Sequence, residues 1–246
     1  MINVNAVIAQ WIGKREHQED FYLVRHYPAG TLAVLCDGMG GHQFGALASS
    51  TAAKVFVEAF EDEVDGPVSE RMLNALDAAN AAVGAAFSEA GAYGGTTLVA
   101  AYIGGGVLWW VSVGDSPLYL WRHHRLVRLN EDHSMRAVYM QYVQSGCLTF
   151  EEAVMRGHSL RSAVTGDSIT MIDSSVTPYP LLPGDRIILT SDGTDDLLYT
   201  AVLSDEVKDL LDERSGNLSV RIVEACRMLD NPYADNATVV SMDWDA

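Results

Sequence analysis

The sequence has few cysteines, no signal peptide and no long apolar run. Its three cysteines, Cys36, Cys147 and Cys226, are far apart, odd in number and never in a CxxC pair. This argues against a disulfide framework or a zinc ribbon and indicates a reducing compartment. No apolar run approaches the ~18 residues that a membrane-spanning helix needs. The first residues alternate like a strand and lack the basic region of a signal peptide. We therefore expect a cytoplasmic protein with no membrane partner.

Positive charge is also scarce. The chain has 16 Lys and Arg against 33 Asp and Glu, which gives a formal net charge of −17. Nucleic acids and anionic membranes attract proteins through clustered Lys and Arg. The basic clusters here are small, such as WRHHRLVR at 121–128, which is typical of a solvated hairpin. We expect no nucleic-acid partner.

What is present is the composition of an ordinary globular protein. Hydrophobic residues make up 48% of the chain and charged residues 20%. A length of 246 residues is enough to bury a sizeable core. Because no internal repeat, low-complexity tract or linker divides the chain, we predict a single domain over residues 1–246.

Apolar periodicity predicts strands in runs, with paired helices between the runs. This order favours an α+β fold, a four-layer α-β-β-α sandwich in which two antiparallel sheets pack face to face and helices cover both outer faces. A helical stretch at 133–157 has a stop and a restart, and Thr149 with Glu152 has the spacing of a capping box. The predicted strands are 2–11, 21–27, 31–36, 95–103, 107–113, 117–122, 125–129, 169–177, 185–191 and 236–244, and the other helices are 45–62, 68–90, 204–213 and 217–229.

Acidic residues stand at the ends of several predicted strands. The run TLAVLCDGMGGH ends on Asp37, and two other apolar runs end on Asp115 and Asp192. Asp235 stands just before the last strand. Because the end of one antiparallel strand lies beside the start of its neighbour, these residues can converge on one edge. Glu19 and Asp20, just before the strand at 21–27, can join them.

Six converging carboxylates would repel one another and raise their pKa values unless cations lay between them. Ligand sets made only of oxygen select Mg²⁺ or Mn²⁺ rather than zinc or copper. The glycines after Asp37 and Asp192 would leave room for backbone carbonyls and a bound phosphate. The alternative is that each Asp-Gly pair is only a turn, but four such acids at matching strand ends favour a metal site.

These residues lie in motifs that resemble a known family. The chain is similar to the metal-dependent protein Ser/Thr phosphatases of the PPM type, the protein phosphatase 2C-like enzymes, in their bacterial form. Eight motifs occur in the order of that family, and together they run through most of the chain. They are REHQED (15–20), DGMGGHQFGALAS (37–49), GGTTL (94–98), VGDS (113–116), EDHS (131–134), LTFEEA (148–153), SDGTDD (191–196) and ADNATVV (234–240).

The resemblance implies a catalytic domain with two Mn²⁺ or Mg²⁺ ions and an optional third. In that arrangement Asp37 bridges the two ions, and the Gly38 carbonyl binds one of them. Asp192 and Asp235 hold the first ion, and Glu19 reaches the second through water. Asp20 supports this shell, and Asp115 with Asp192 resembles the third-ion site of bacterial members.

The resemblance also implies a reaction, the hydrolysis of phosphoserine and phosphothreonine in proteins by in-line attack of a bridging metal-bound hydroxide. Arg15, Asp37 and Asp192 would be the catalytic residues, with Arg15 gripping the substrate phosphate. The alternative for Arg15 is an ion pair that only neutralises Glu19. The expected partners are phosphorylated proteins of a cognate Ser/Thr kinase, and the enzyme is expected to be a monomer.

Some positions depart from the family pattern. Met39 stands where many eukaryotic relatives carry a histidine that protonates the leaving alkoxide, so His42 is the candidate proton donor and water the default. Gln18 replaces a usual asparagine, and Pro117 replaces a frequent arginine, which removes one contact near the site. The segment 158–166 is short, within a helical flap expected near 133–166.

No departure removes a proposed ligand, so an active enzyme is expected. Two other functions stay open from the sequence. A non-catalytic binding module of the same fold would have lost a metal-binding Asp or Arg15, and all of them are present. A phosphomonoesterase that acts on small molecules would keep the chemistry and change the substrate.

Overall fold

A computed structural model of the chain describes residues 4–41, 43–63, 65–199, 203–213 and 216–245. The strands are β1 (Val4–Trp11), β2 (Phe21–Tyr27), β3 (Gly30–Cys36), β4 (Gly38–Met39), β5 (Gly95–Thr96), β6 (Leu98–Gly104), β7 (Val107–Val113), β8 (Leu118–Arg122), β9 (Arg125–Arg128), β10 (Asp173–Ser174), β11 (Tyr179–Pro180), β12 (Asp185–Thr190) and β13 (Ala237–Trp244). The helices are α1 (Gln43–Asp62), α2 (Val68–Ala90), α3 (Met135–Gln144), α4 (Phe150–Arg156), α5 (Asp195–Leu198), α6 (Asp205–Asp212) and α7 (Leu218–Met228), with a 3₁₀ turn at Asp192–Thr194.

Two main antiparallel sheets form the centre of the molecule. The first has the strand order β1-β13-β12-β8-β9, and the second has the order β10-β7-β6-β3-β2, with β11 also paired to β7. A short ladder joins β4 to β5. The last strand, β13, lies between β1 and β12, so the two ends of the chain meet in one sheet.

Buried apolar side chains fill three layers between these elements. Alternate residues of β3 serve two of them: Leu35 faces the core between the sheets, and Val34 faces α1 and α2. This is the period of two expected of a strand covered on both faces. On the other side, Val239 of β13 packs against Ile222 of α7. The four-layer α-β-β-α sandwich predicted from the sequence is therefore confirmed.

One predicted strand was wrong. The segment 169–177 is not a continuous strand but contributes only β10 and, beyond it, β11. Pro178 and Pro180 have no N–H to donate to a ladder. Between the two short pairings, the Ser175 side chain takes over part of the ladder, because its Oγ accepts the Trp110 N–H at 2.9 Å.

The flap, residues 133–166, contains α3 and α4. The predicted capping box is present: the Glu152 N–H donates to Thr149 Oγ1 at 3.1 Å, and the Thr149 N–H donates to Glu152 Oε2 at 2.9 Å. Isolated bridges join Ser134 to Leu160 and Thr96 to Val164. The second bridge attaches the end of the flap to the sheet beside the candidate site. None of the described helices combines the length and the apolar surface needed to cross a membrane.

Candidate metal centre

The strand ends bring most of the predicted acids to one pocket of about 200 Å³. Asp37 follows β3, Asp192 begins the 3₁₀ turn after β12, and Asp235 precedes β13. Antiparallel pairing of β12 with β13 places Asp192 and Asp235 at one edge, and Asp37 reaches this edge from β3 of the facing sheet. The pocket is lined by Arg15, Glu19, Asp37, Gly38, Met39, Gly41, Asp192, Asp235 and Asn236.

Backbone contacts fix the loop that carries Asp37. Its N–H donates to Thr97 Oγ1 at 3.0 Å. Its carbonyl accepts the Thr97 N–H at 2.8 Å and the Thr96 hydroxyl at 2.9 Å. The Gly38 N–H donates to the Glu19 carbonyl at 3.2 Å. The role of the two threonines was missed from the residues alone, although the GGTTL motif pointed to their position.

The glycines after Asp37 and Asp192 make room for the protein's own backbone. A Cβ on Gly38 would lie 2.3 Å from the Gly45 carbonyl oxygen of α1, and a Cβ on Gly193 would lie 2.1 Å from the Asn236 carbonyl oxygen. The sequence predicted clearance for carbonyls and for phosphate. The structure shows the close approach of carbonyls, one from the first turn of α1 and one from the loop before β13.

We expect Gly193→Ala to lower the free energy of unfolding by roughly 1–3 kcal/mol, as overpacking does in well-packed sites. The new methyl group would push the Asn236 loop away from the 3₁₀ turn. Thermal unfolding without any ligand measures the change. Gly66→Ala is the matched control, because the nearest atoms to a Cβ there belong to the flexible side chains of Arg71 at 3.3 Å and Glu63 at 3.4 Å. Equal effects of the two substitutions would contradict this role of Gly193.

Asp20 lies beneath the pocket rather than in its lining. It is 4% exposed, and its Oδ2 accepts hydrogen bonds from Ser191 Oγ at 2.7 Å and Thr238 Oγ1 at 2.6 Å. Burial raises the pKa of Asp20 to about 7 even though these hydroxyls favour the ionised form. Its Oδ1 is buried without a hydrogen-bond donor among the described residues. The carboxyl of Asp37 can bond to Asp20 only when one of the two acids is protonated.

Burial and mutual repulsion dominate the electrostatics of the pocket. Burial raises the pKa of Asp37 and of Asp192 well above the usual range, and neighbouring carboxylates raise both values further. The ion pairs found in the described part of the chain include neither of these two acids. The acids that act on both are Asp20, Asp115 and Asp235. Such a set of oxygen donors has more negative charge than the protein itself neutralises.

Arg15 is the basic residue of the pocket. It donates through Nη2 to Asp235 Oδ2, and its side chain is 56% exposed. The sequence alternative was a pair with Glu19, but the ion pair of Arg15 is with Asp235. Asn236 adds a second support, since its Oδ1 accepts the Glu19 N–H at 2.8 Å.

Asp115 is buried beside the pocket and does not line it. Its Oδ2 lies 3.4 Å from Nη2 of Arg136, and its carbonyl accepts a hydrogen bond from Arg128 at 2.8 Å. Burial raises the pKa of Asp115 to about 6, and the charge of Arg136 opposes this rise. Pro117 was predicted to leave a contact missing here. Instead, Arg128 of β9 and Arg136 of α3 contact Asp115, and the sequence predicted neither contact.

As the side chains stand, no three His, Cys, Asp or Glu in the described ranges form a group that could hold one ion. Asp20, Asp115 and Asp235 are each turned towards another partner, namely hydroxyls, Arg136 and Arg15. Among the described acids, the buried Asp20 Oδ1, Asp37 and Asp192 have no basic partner, and these oxygens fit a cation as they stand. His42, the candidate proton donor, lies outside the described residues.

Comparisons with known proteins agree with this geometry. The family model described as Protein phosphatase 2C matches residues 10–225. The serine/threonine protein phosphatase PstP of Mycobacterium tuberculosis is 32% identical over 225 residues, which cover 88% of this chain and 41% of that relative. This chain therefore matches less than half of the length of PstP.

Two further relatives match over most of both chains. The serine/threonine phosphatase stp of Listeria monocytogenes is 30% identical, over 87% of this chain and 84% of the relative. A crystal structure of the catalytic domain of a serine/threonine protein phosphatase PstP, in complex with two manganese ions, superposes with a TM-score of 0.78 at 28% identity, over 99% of each chain. The chain therefore belongs to the protein phosphatase 2C family of serine/threonine protein phosphatases, and it is similar to bacterial members of that family.

Proposed function

We propose that this chain is a protein serine/threonine phosphatase that depends on Mn²⁺ or Mg²⁺ and forms one catalytic domain over residues 1–246. The observation that carries the proposal is the charge of the pocket. Four carboxylates line the pocket and a fifth lies directly beneath it, with one guanidinium beside them, in a family with a member crystallised with two manganese ions. The five acids are Glu19, Asp20, Asp37, Asp192 and Asp235.

The proposed ligands follow from where each acid lies. Asp37, between the other acids and without a basic partner, would bridge two ions, and the Gly38 carbonyl would add a ligand. Asp192 and Asp235 would hold one ion, after Asp235 turns away from Arg15. Glu19 would reach the other ion, and Asp20 would support this side from below.

Bound divalent ions would supply charge neutralisation and a water molecule acidic enough to attack phosphorus in line near neutral pH. The protein's own residues would orient the reaction. Hydrogen bonds to Thr96 and Thr97 hold the backbone of Asp37 and would thereby orient its carboxylate towards the ions. No histidine of the described chain lines the pocket, so solvent would protonate the leaving alkoxide.

Arg15 would bind the substrate phosphate once it leaves Asp235. Its guanidinium offers two parallel N–H groups that match two phosphate oxygens.

We expect Arg15→Ala to raise KM for a phosphopeptide about tenfold to a hundredfold. The reason is that a hydrogen bond between charged groups is worth roughly 1.5–3 kcal/mol. Lys14→Ala is the control, because Lys14 is the neighbouring base and pairs with Asp230 at 3.7 Å. Similar KM values for both variants would exclude this role of Arg15.

The proposed substrates are phosphoproteins of a cognate Ser/Thr kinase in the cytoplasm, with the enzyme acting as a monomer. Phosphate release from a phosphothreonine peptide, with Mn²⁺, Mg²⁺ or EDTA, tests this function. We expect release with either ion and none with EDTA. Folded protein that releases no phosphate at any ion concentration would instead favour the non-catalytic module. Faster hydrolysis of small phosphate esters than of any phosphopeptide would favour the small-molecule enzyme.

A further inference from the structure

Arg136 of the flap is a buried cation surrounded by three carboxylates. Its side chain is 2% exposed. Nη1 pairs with Asp195, Nη2 lies 3.4 Å from Asp115 Oδ2, and Nε lies 3.6 Å from Asp132 Oδ2. All three nitrogens of the guanidinium therefore face acids, and one of these acids is Asp115.

The surroundings of Arg136 hold it in this place. The Tyr199 ring covers the guanidinium, with 4.4 Å between the guanidinium carbon and the ring centroid. The Arg136 N–H donates to Ser134 Oγ at 3.2 Å and to the Gly157 carbonyl at 3.1 Å. A Cβ on Gly157 would lie 2.4 Å from the Arg136 Cβ, so α4 ends directly against this residue. Both helices of the flap thus fix the guanidinium.

The charges divide into two neighbouring groups. The four carboxylates that line the pocket, Asp20 beneath them and Arg15 leave four negative charges when all five acids are ionised, and two divalent ions would balance these charges. Around Arg136, three carboxylates are matched by two guanidinium groups, because Arg128 also pairs with Asp132 at 3.2 Å. One negative charge remains there. The second group therefore has little need for a divalent ion, although it contains Asp115.

We propose that the guanidinium of Arg136 provides, at Asp115, the positive charge that a third metal ion would otherwise provide, so that this chain binds two ions. This inference rests on the proposed function, because it assumes that the pocket binds metal. An ion at Asp115 would have to displace a buried guanidinium that also pairs with Asp195 and Asp132. Arg136 is thus a positioning residue: it fixes Asp115 next to Asp192 and ties the flap to this edge of the sheet.

The test is the number of Mn²⁺ ions per chain, measured by equilibrium dialysis at saturating Mn²⁺ followed by elemental analysis. We expect two ions in the unmodified protein, three in Arg136→Gln, and two in Arg136→Lys, which keeps the charge. Arg156→Gln is the matched control: Arg156 lies in the same flap, is exposed and pairs only with Glu152 on its own helix, at 3.8 Å. Two ions are expected in this control, and circular dichroism verifies the fold of each variant.

Other outcomes overturn the inference in distinguishable ways. Three ions in the unmodified protein would refute the role of Arg136 and leave the proposed function intact. Two ions in folded Arg136→Gln would show that something else excludes the third ion. No bound ion in the unmodified protein would refute the metal centre itself. If Arg136→Gln does not fold, Asp115→Asn replaces it: an unchanged count of two supports the inference, and the loss of one ion overturns it.

Discussion

Asp37→Asn is expected to abolish phosphatase activity while making the metal-free protein more stable. Activity should fall by at least about 10³-fold, since removal of one group that stabilises a charged transition state already costs 10²–10³-fold. The bridging position would be lost, and a neutral amide is a weaker ligand for Mn²⁺ than a carboxylate. Phosphate release from a phosphothreonine peptide at saturating Mn²⁺ measures the loss.

The stability of Asp37→Asn should change in the opposite direction. Burial and neighbouring acids raise the pKa of Asp37 well above the usual range, so its ionised form is unfavourable in the folded protein. Replacing this repelled, buried carboxyl by a neutral amide should therefore stabilise the metal-free protein, and each kcal/mol gained corresponds to roughly 2–4 °C in Tm for a chain of this size. Thermal unfolding in EDTA measures this gain.

Asp77→Asn is the matched control for both measurements, because Asp77 is an exposed acid of α2. It should change neither activity nor Tm. Full activity of Asp37→Asn would contradict the bridging role. A lower Tm of metal-free Asp37→Asn would contradict the repulsion that the buried acids imply.

Mn²⁺ is expected to stabilise the protein, and to stabilise it more as the pH rises. At a free concentration 100 times Kd, one ion adds about 2.7 kcal/mol, which is roughly 5–10 °C in Tm for this chain length. The ligand acids must lose their protons before they bind an ion, so protons compete with Mn²⁺. The difference in Tm between protein with Mn²⁺ and protein with EDTA should therefore grow between about pH 5 and pH 8. In this range the buried acids of the pocket, whose pKa values are raised, lose their protons.

The metal-free protein should show the opposite trend. Burial raises the pKa of Asp20 to about 7 and that of Asp115 to about 6, both above the value of 3.8 of a free aspartate. The folded state thus binds more protons than the unfolded state between these values, and the stability falls as the pH rises from about 4 to about 7. Tm in EDTA over this range measures the trend for the chain as a whole.

Asp37→Asn supplies the comparison for this pH dependence, because it removes one of the repelling acids. Its Tm in EDTA should fall less steeply with pH than the Tm of the unmodified protein. A Tm that rises with pH in EDTA, or a stabilisation by Mn²⁺ that shrinks towards pH 8, would contradict this view of the pocket.

The sequence predicted the layers and the shared edge because both depend on local patterns. Alternating apolar residues in 31–36 place β3 between two cores, and acids directly after such runs must lie at a strand end. Antiparallel pairing of β12 with β13 then brings Asp192 and Asp235 together, and the face-to-face packing of the two sheets adds Asp37 from β3.

Other features depend on contacts between distant parts of the chain and were not predictable. The pair of Arg15 with Asp235 joins opposite ends of the sequence, and Asp20 is held from below by Ser191 and Thr238. Arg136 was expected to lie in a helical flap, but its side chain reaches acids up to 59 residues away. The apolar periodicity that predicts a helix does not indicate which distant acids will pair with one of its residues.

Backbone chemistry explains the remaining differences. The predicted strand 169–177 contains only the two-residue β10, and Pro178 and Pro180 just beyond it cannot donate to a longer ladder. Gly193 and Gly38 were expected to leave room for backbone carbonyls and a bound phosphate, and the carbonyls that approach them are those of Asn236 and Gly45. The tertiary fold decides which distant residue approaches each glycine. The local sequence Asp-Gly does not indicate that residue.

The central claim is that Asp37 bridges two divalent ions beside Arg15. Anomalous diffraction from crystals of this protein grown with Mn²⁺ tests it most directly. We expect two anomalous peaks in the pocket about 3.5–4 Å apart, the spacing of two-metal hydrolytic sites, with the Asp37 carboxylate between them. A single peak, peaks away from Asp37, or a pocket without any peak at a Mn²⁺ concentration that supports phosphate release would contradict it.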